Sequence, residues 1–165
     1  MYHTLASDVW TEDRDARKYS GPGPVVCHPP CRAWGRLRRF AKPRDDEKDL
    51  ARHAIAMVRK YGGVLEHPAG SGLWSDQDLP HFPMTDRYGG WTMSVKQGAY
   101  GHRAAKHTWL YICGMVPYSV RPLDLAPGFV PVPVENMAVA EREATPRDFA
   151  IFLLEIAKSC GTTLP

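Results

Sequence analysis

Leu50, Ala54, Met57, Val58 and Tyr61 recur at helical spacing, with the acids Asp45, Asp46 and Glu47 ahead of them and Gly62-Gly63 behind. Negative charge at the start and glycine at the end suit the two poles of an α-helix, so the pattern predicts a helix that begins near Asp45 and packs on a sheet. Short apolar runs flank it: Val25-Val26 before, and Val64-Leu65 directly after, ending in Glu66-His67-Pro68. Strand, helix and strand with tight connections predict a right-handed parallel crossover with the two strands as neighbours. Residues 91–97 alternate apolar and polar, and residues 108–113 are rich in aromatic and apolar side chains. They read as two strands joined by the basic turn of residues 98–107.

A second helical stripe, Phe149, Phe152, Leu153, Ile156, Ala157 and Cys160, follows Thr145-Pro146, which supplies a cap and a first-turn proline. Elsewhere the pattern is weaker. Residues 2–5 predict a short strand, residues 69–90 a long loop anchored by Trp74 and Phe82, and residues 117–133 a proline-punctuated stretch that cannot be a helix. The expected fold is α/β and three-layer Rossmann-like, with a mainly parallel sheet and an antiparallel hairpin at one side. It is read as one domain, residues 1–165, with a core at 25–114, a proline-rich segment at 115–135 and a C-terminal helix at 145–160.

Composition narrows this picture without changing it. A chain of 165 residues, 44% hydrophobic and 24% charged, suits one ordinary globular domain with a sizeable core. Fifteen prolines and fourteen glycines predict many loops and short elements. No apolar run approaches the roughly 18 residues of a membrane span, and the amino end is polar and charged, so neither a span nor a signal peptide is expected. Four scattered cysteines do not make a disulfide scaffold and point to a reducing cytoplasm.

Charge clustering says more than the net charge of +3. Arg32, Arg36, Arg38, Arg39, Lys42 and Arg44 follow one another with no acid among them. Such a cluster makes the field that a nucleic acid feels, and Trp34 and Phe40 stand within it as residues able to stack or wedge. DNA is the expected partner, and a protein is the alternative occupant of the loop. Directly before the cluster comes Val25-Val26-Cys27-His28-Pro29-Pro30-Cys31. The prolines form a rigid ledge that aims the Cys31 thiol, and neighbouring arginines are expected to depress its pKa. Cys27, by contrast, is expected to face the core or the helix. In a parallel crossover, functional groups collect beyond the carboxyl ends of the strands, which brings Cys31 and Glu66 to one crevice. Cys27, His28 and Cys31 lie close enough to raise the question of zinc. No second Cys/His pair follows them, so no metal is expected.

Pro29-Pro30-Cys31, then Glu66, then Tyr100-Gly101 running through Lys106 into Trp109-Leu110-Tyr111-Ile112-Cys113-Gly114, resemble in order and approximate spacing the central motifs of carbon-5 cytosine DNA methyltransferases. The match covers roughly residues 25–114, and the chain is also similar to short phage and prophage proteins related to these enzymes. The resemblance implies that Cys31 attacks carbon 6 of a flipped cytosine, that Glu66 engages ring nitrogen 3, and that the basic hairpin with Arg103 and Lys106 holds the base. The departures are specific. Arg32 and Gly35 stand where the family has Gln and Ser, and Glu66-His67-Pro68 replaces Glu-Asn-Val. The family's Gln-x-Arg-x-Arg falls on Ala104, Lys106 and Thr108, so one cation remains in place. The Phe-x-Gly-x-Gly turn for S-adenosylmethionine, the cofactor the resemblance implies, is absent, and little room is left for a target-recognition domain.

The expected function is therefore DNA cytosine modification, with Cys31 and Glu66 catalytic and Pro29 and Pro30 supporting them. Arg32, Arg36, Arg38, Arg39, Arg103 and Lys106 are expected on the DNA. The alternatives are a non-catalytic DNA-binding relative, serving phage DNA modification or anti-restriction, and an unreactive thiol at a tight turn.

Overall fold

The computed structural model describes residues 2–35, 38 and 40–161, and its first long helix, α1, spans Glu47–Tyr61. Buried Ala51, Ile55 and Val58 fall three and four residues apart, the spacing that places them on one face. Gly62 closes the helix at φ 78°, a backbone region that a Cβ disfavours. Strand β1 (Val25–Cys27) precedes α1, and β2 (Gly63–Pro68) begins one residue after Gly62. The two strands are parallel neighbours, with Val26 opposite Val64 and Cys27 opposite Leu65.

Strands β3 (Trp91–Lys96) and β4 (His107–Cys113) form the expected antiparallel hairpin, joined through a 3-10 turn at Gln97–Tyr100. β4 lies between β2 and β3 and runs antiparallel to both, giving the order β1-β2-β4-β3. The sheet is therefore mixed rather than mainly parallel. Only α1 provides a helical crossover between neighbouring strands; the later chain reverses through a loop and a hairpin, and such returns yield antiparallel pairs.

Alternation along the strands sets up two apolar clusters. Leu65, Tyr111 and Cys113 pack with Ala51, Ile55 and Val58 of α1. Val64, Leu110 and Ile112 pack with Phe149, Leu153 and Ile156 of the helix Arg147–Ser159 near the carboxyl end. The two helices thus cover opposite faces of the sheet. The loop over residues 69–90 includes one short helix, α2 (Leu73–Asp76), and buries Trp74, whose indole N–H donates to the Pro68 carbonyl at 2.8 Å. Phe82 packs, partly buried, on the second cluster. Residues 117–133 form no helix or strand. A short helix, α3 (Val139–Glu143), follows, and the helix at Arg147–Ser159 is α4.

Two local expectations are corrected. Residues 2–5 hold a 3-10 turn, Tyr2–Thr4, in place of a strand, because Tyr2 turns its side chain toward His28 rather than joining the sheet. Thr145 does not cap α4: Pro146 occupies that position, and no side chain caps the helix. Among the described residues, no helix is long and apolar enough to cross a membrane.

The β1–β2 contact depends on a missing side chain. A Cβ at Gly63, where φ is 117°, would lie 2.0 Å from the Val25 carbonyl oxygen. Gly101, at φ 94°, has nothing within 4 Å of the same construction. Gly101→Ala is expected to cost only the left-handed backbone penalty, about 1–2 kcal/mol. Gly63→Ala also forces two backbones apart and is expected to cost more than about 3 kcal/mol. Urea unfolding midpoints of the two variants check the contrast.

Candidate functional site

Continuing the parallel register one residue beyond Cys27 and Leu65 brings His28 opposite Glu66. The contact is made: His28 Nδ1 lies 2.9 Å from Glu66 Oε2. The other carboxylate oxygen accepts from Gln97 Nε2 at 3.1 Å, and the same amide donates to Thr108 Oγ1 at 2.9 Å. On the outer side, the Tyr2 hydroxyl is 2.6 Å from His28 Nε2. With the proton on Nδ1, every bond of this chain has a donor and an acceptor: Tyr2 to His28, His28 to Glu66, and Gln97 to Glu66. Gln97 and Thr108 are almost fully buried, so their polar groups depend on one another and on Glu66.

Burial alone would raise the Glu66 pKa. The His28 hydrogen bond and charge outweigh it, with help from Lys106 and His67, and hold the carboxyl below its usual range. Glu66 is therefore ionised at neutral pH. Cys31 is exposed as a residue, yet partial burial of its thiol pushes the pKa up, and the Glu66 and Glu143 carboxylates add to the rise, partly offset by Lys106. Burial also lowers the Lys106 ammonium, against the pull of Glu66, Cys31 and Glu143. Glu66 and Lys106 thus act on the Cys31 thiol with opposite sign.

The expected depression of the Cys31 thiol is overturned, because Arg32 faces elsewhere. Its guanidinium pairs with Glu47, a wholly buried carboxylate at the start of α1. Cys31 itself opens a tight turn, its carbonyl accepting from the backbone N–H of Trp34 and Gly35 at 3.0 and 2.9 Å. Pro29 and Pro30 form the half-buried ledge before it. Arg36 and Arg39 lie outside the described residues, and Arg38 is exposed beside Trp34 and Asp76. The hairpin cations already have internal partners: Arg103 pairs with Glu141 at 2.7 Å, and Lys106 Nζ donates to the Ala144 carbonyl at 3.0 Å. Trp34 is buried in the core with Lys48 and Arg52 over its ring, which removes it from stacking on a ligand, whereas Phe40 is exposed.

Cys27 faces the cluster under α1, as expected, and burial raises its thiol to about 12. Among the described residues, no group of three or more His, Cys, Asp or Glu side chains is placed to hold a metal. Behind the proline ledge, residues 9–19, β1 and α1 enclose a cavity of about 610 Å³, with Trp10, Tyr19, Cys27, His53 and Met57 in its lining. The residues that sequence reasoning missed are Gln97, Tyr2 and His28 as a partner of Glu66. Running the parallel register forward would have found His28. A scan against protein-family models, a search of curated proteins and a search of solved structures each found no match.

His67, next to Glu66, alternates to the opposite face and is wholly buried, edge-on to Trp74 at 6.2 Å. Burial lowers its pKa from 6.5 to about 4, while Glu66 and the Pro30 backbone pull weakly upward. The folded protein then binds fewer protons here than the unfolded chain, so stability falls as the pH drops from 6.5 toward 4. The full effect is about 3 kcal/mol. Thermal melts across that window should show the loss, and His67→Gln should flatten it.

Proposed function

We propose that the protein acts on cytosine in DNA, with Cys31 adding to carbon 6 and Glu66 serving ring nitrogen 3. The observation that carries this reading is the register of two adjacent parallel strands, which sets His28 on Glu66 and starts the proline ledge to Cys31 from the neighbouring strand end. Carbon 6 of cytosine is a weak electrophile until nitrogen 3 takes up a proton. The Cys31 thiol gives its proton to water, and the thiolate sulfur bonds to carbon 6. The carbon 5–carbon 6 π electrons shift into the ring, and nitrogen 3 takes the proton from Glu66. Lys106 stabilises the thiolate while it lasts. The resting site holds thiol and carboxylate, the reverse of what addition needs, so the incoming base must find both groups reset.

We read the β1–α1–β2 unit, with helices on both faces, as the remnant of a three-layer Rossmann-like core. S-adenosylmethionine does not fit it in the family's manner. β1 is the edge of the sheet, and residues 2–24 make 3-10 turns with no strand ending in a glycine turn. The proposed chemistry is therefore the reversible thiol adduct, and no step is assigned to a methyl donor. The substrate would be a flipped base, with Arg38 toward the backbone and Arg32 acting as the anchor of that loop. The raised Cys31 thiol favours a second reading, a DNA-binding relative without the chemistry, serving phage DNA modification or anti-restriction.

DNA carrying 5-azacytosine separates the two. Wild-type protein should form an adduct that survives denaturing electrophoresis, and Cys31→Ser should form none while keeping its non-covalent affinity. Glu66→Gln should slow capture by about 10²-fold or more without abolishing it. In salt titrations, Arg38→Ala should lower the slope of log affinity by about 0.9 if its guanidinium meets a duplex phosphate. Arg32→Ala should chiefly lower stability, because it strands the buried Glu47.

A further inference from the structure

We infer that His28 is the positioning and proton-supplying partner of Glu66, drawing its proton from the solvent side beside Tyr2. This rests on the reading of Glu66 as the group that serves nitrogen 3. Glu66 must be protonated at the moment of addition, yet it is buried and ionised at rest, so a proton has to reach it through a neighbour. The described residues offer few routes. Gln97 holds Oε1 at 3.1 Å, but an amide does not give up a proton at neutral pH. His67 is wholly buried and faces away. Lys106 faces Glu66, but its Nζ is tied to the Ala144 carbonyl at 3.0 Å. His28 Nδ1 sits on Oε2 at 2.9 Å, and its ring is about a quarter exposed, with 24% of the side chain accessible.

The transfer balances. Imidazolium His28 passes the Nδ1 proton to Glu66 Oε2, and the N–H electron pair stays on Nδ1. Glu66 releases that same proton from Oε2 to ring nitrogen 3 as the Cys31 sulfur bonds to carbon 6. His28 is left neutral with its remaining proton on Nε2, donating to the Tyr2 oxygen in a reversal of the resting bond. Water recharges the imidazole, and adduct breakdown runs the sequence backward. The charged or titratable groups around this path are Tyr2 on the outer side of His28, and Lys106, His67 and Cys31 around Glu66. Glu143 acts beyond Lys106.

The test is the pH dependence of adduct formation on 5-azacytosine DNA. Wild-type protein should give a profile that rises with the Cys31 thiolate and has a falling limb that depends on His28. His28→Asn keeps an N–H toward Glu66 but does not titrate. It should be slower by about 10²-fold and should lose the falling limb. His28→Ala should regain rate with free imidazoles in the medium, in proportion to their acidity, which a purely structural role would not produce. Tyr2→Phe should keep the limb. Adduct formation by wild type, with His28→Asn within twofold of it and the limb intact, would overturn the relay alone. No adduct from folded wild-type protein would overturn the relay together with the reading of the site.

Discussion

The parallel pairing of β1 with the start of β2 is the constraint on which the site depends. β1 is only three residues long and would not persist alone. It is held by the Val25 N–H on the Gly62 carbonyl at 3.0 Å, by the close approach at Gly63, and by α1, against which Val25 and Cys27 pack. Everything beyond Cys27 inherits its position from that pairing. His28 meets Glu66 because the register runs on for one more residue, and the two prolines carry the chain stiffly to Cys31. A strand of three residues sets the distance between a thiol and a carboxylate that lie far apart in the chain.

Charge in the basic loop and hairpin is less uniform than its density suggests. Arg32 is committed inward, because Glu47 is wholly buried and would stand unpaired without it. Arg103 is paired with Glu141 at a largely exposed position, where such a contact contributes at most about 1 kcal/mol and can be exchanged. Cations that look equivalent in the sequence thus divide into one that shapes the loop and one held in an exposed, exchangeable pair. The groups that occupy the hairpin cations, the Glu141 carboxylate and the Ala144 carbonyl, come from α3 and its end, a helix with no buried side chain.

The long-period features were legible in the sequence. The stripe of α1, the stripe of α4 and the alternation of the hairpin each specify an element and its buried face, and they do so through local spacing alone. The neighbouring parallel strands followed from the helix between them and its one-residue connection to β2. What escaped was set by register and by charge pairing across the fold. Gln97 reads as the last residue of a strand, and only the position of β4 between β2 and β3 turns its amide onto Glu66. Arg32 reads as one arginine among several until Glu47 is seen to be buried, and with that the expected field on Cys31 changes sign. Thr145 reads as a cap, yet the helix starts later than the threonine–proline pair suggests.

At the other end of β2 from Glu66, four glycines gather. A Cβ on Gly62 would stand 2.6 Å from the Gly161 carbonyl oxygen, one on Gly114 would stand 2.2 Å from the same atom, and Gly63 meets Val25. The Gly161 N–H donates to the Gly114 carbonyl at 2.8 Å, so backbone lies on backbone with no room for a methyl group on Gly62 or Gly114. Tolerance to change is therefore polarised along the molecule. Replacing exposed Arg38 disturbs no buried group, whereas a carbon added at Gly62, Gly63 or Gly114 at the opposite pole collides with backbone. The positions with least freedom to vary should be ones that carry no chemistry.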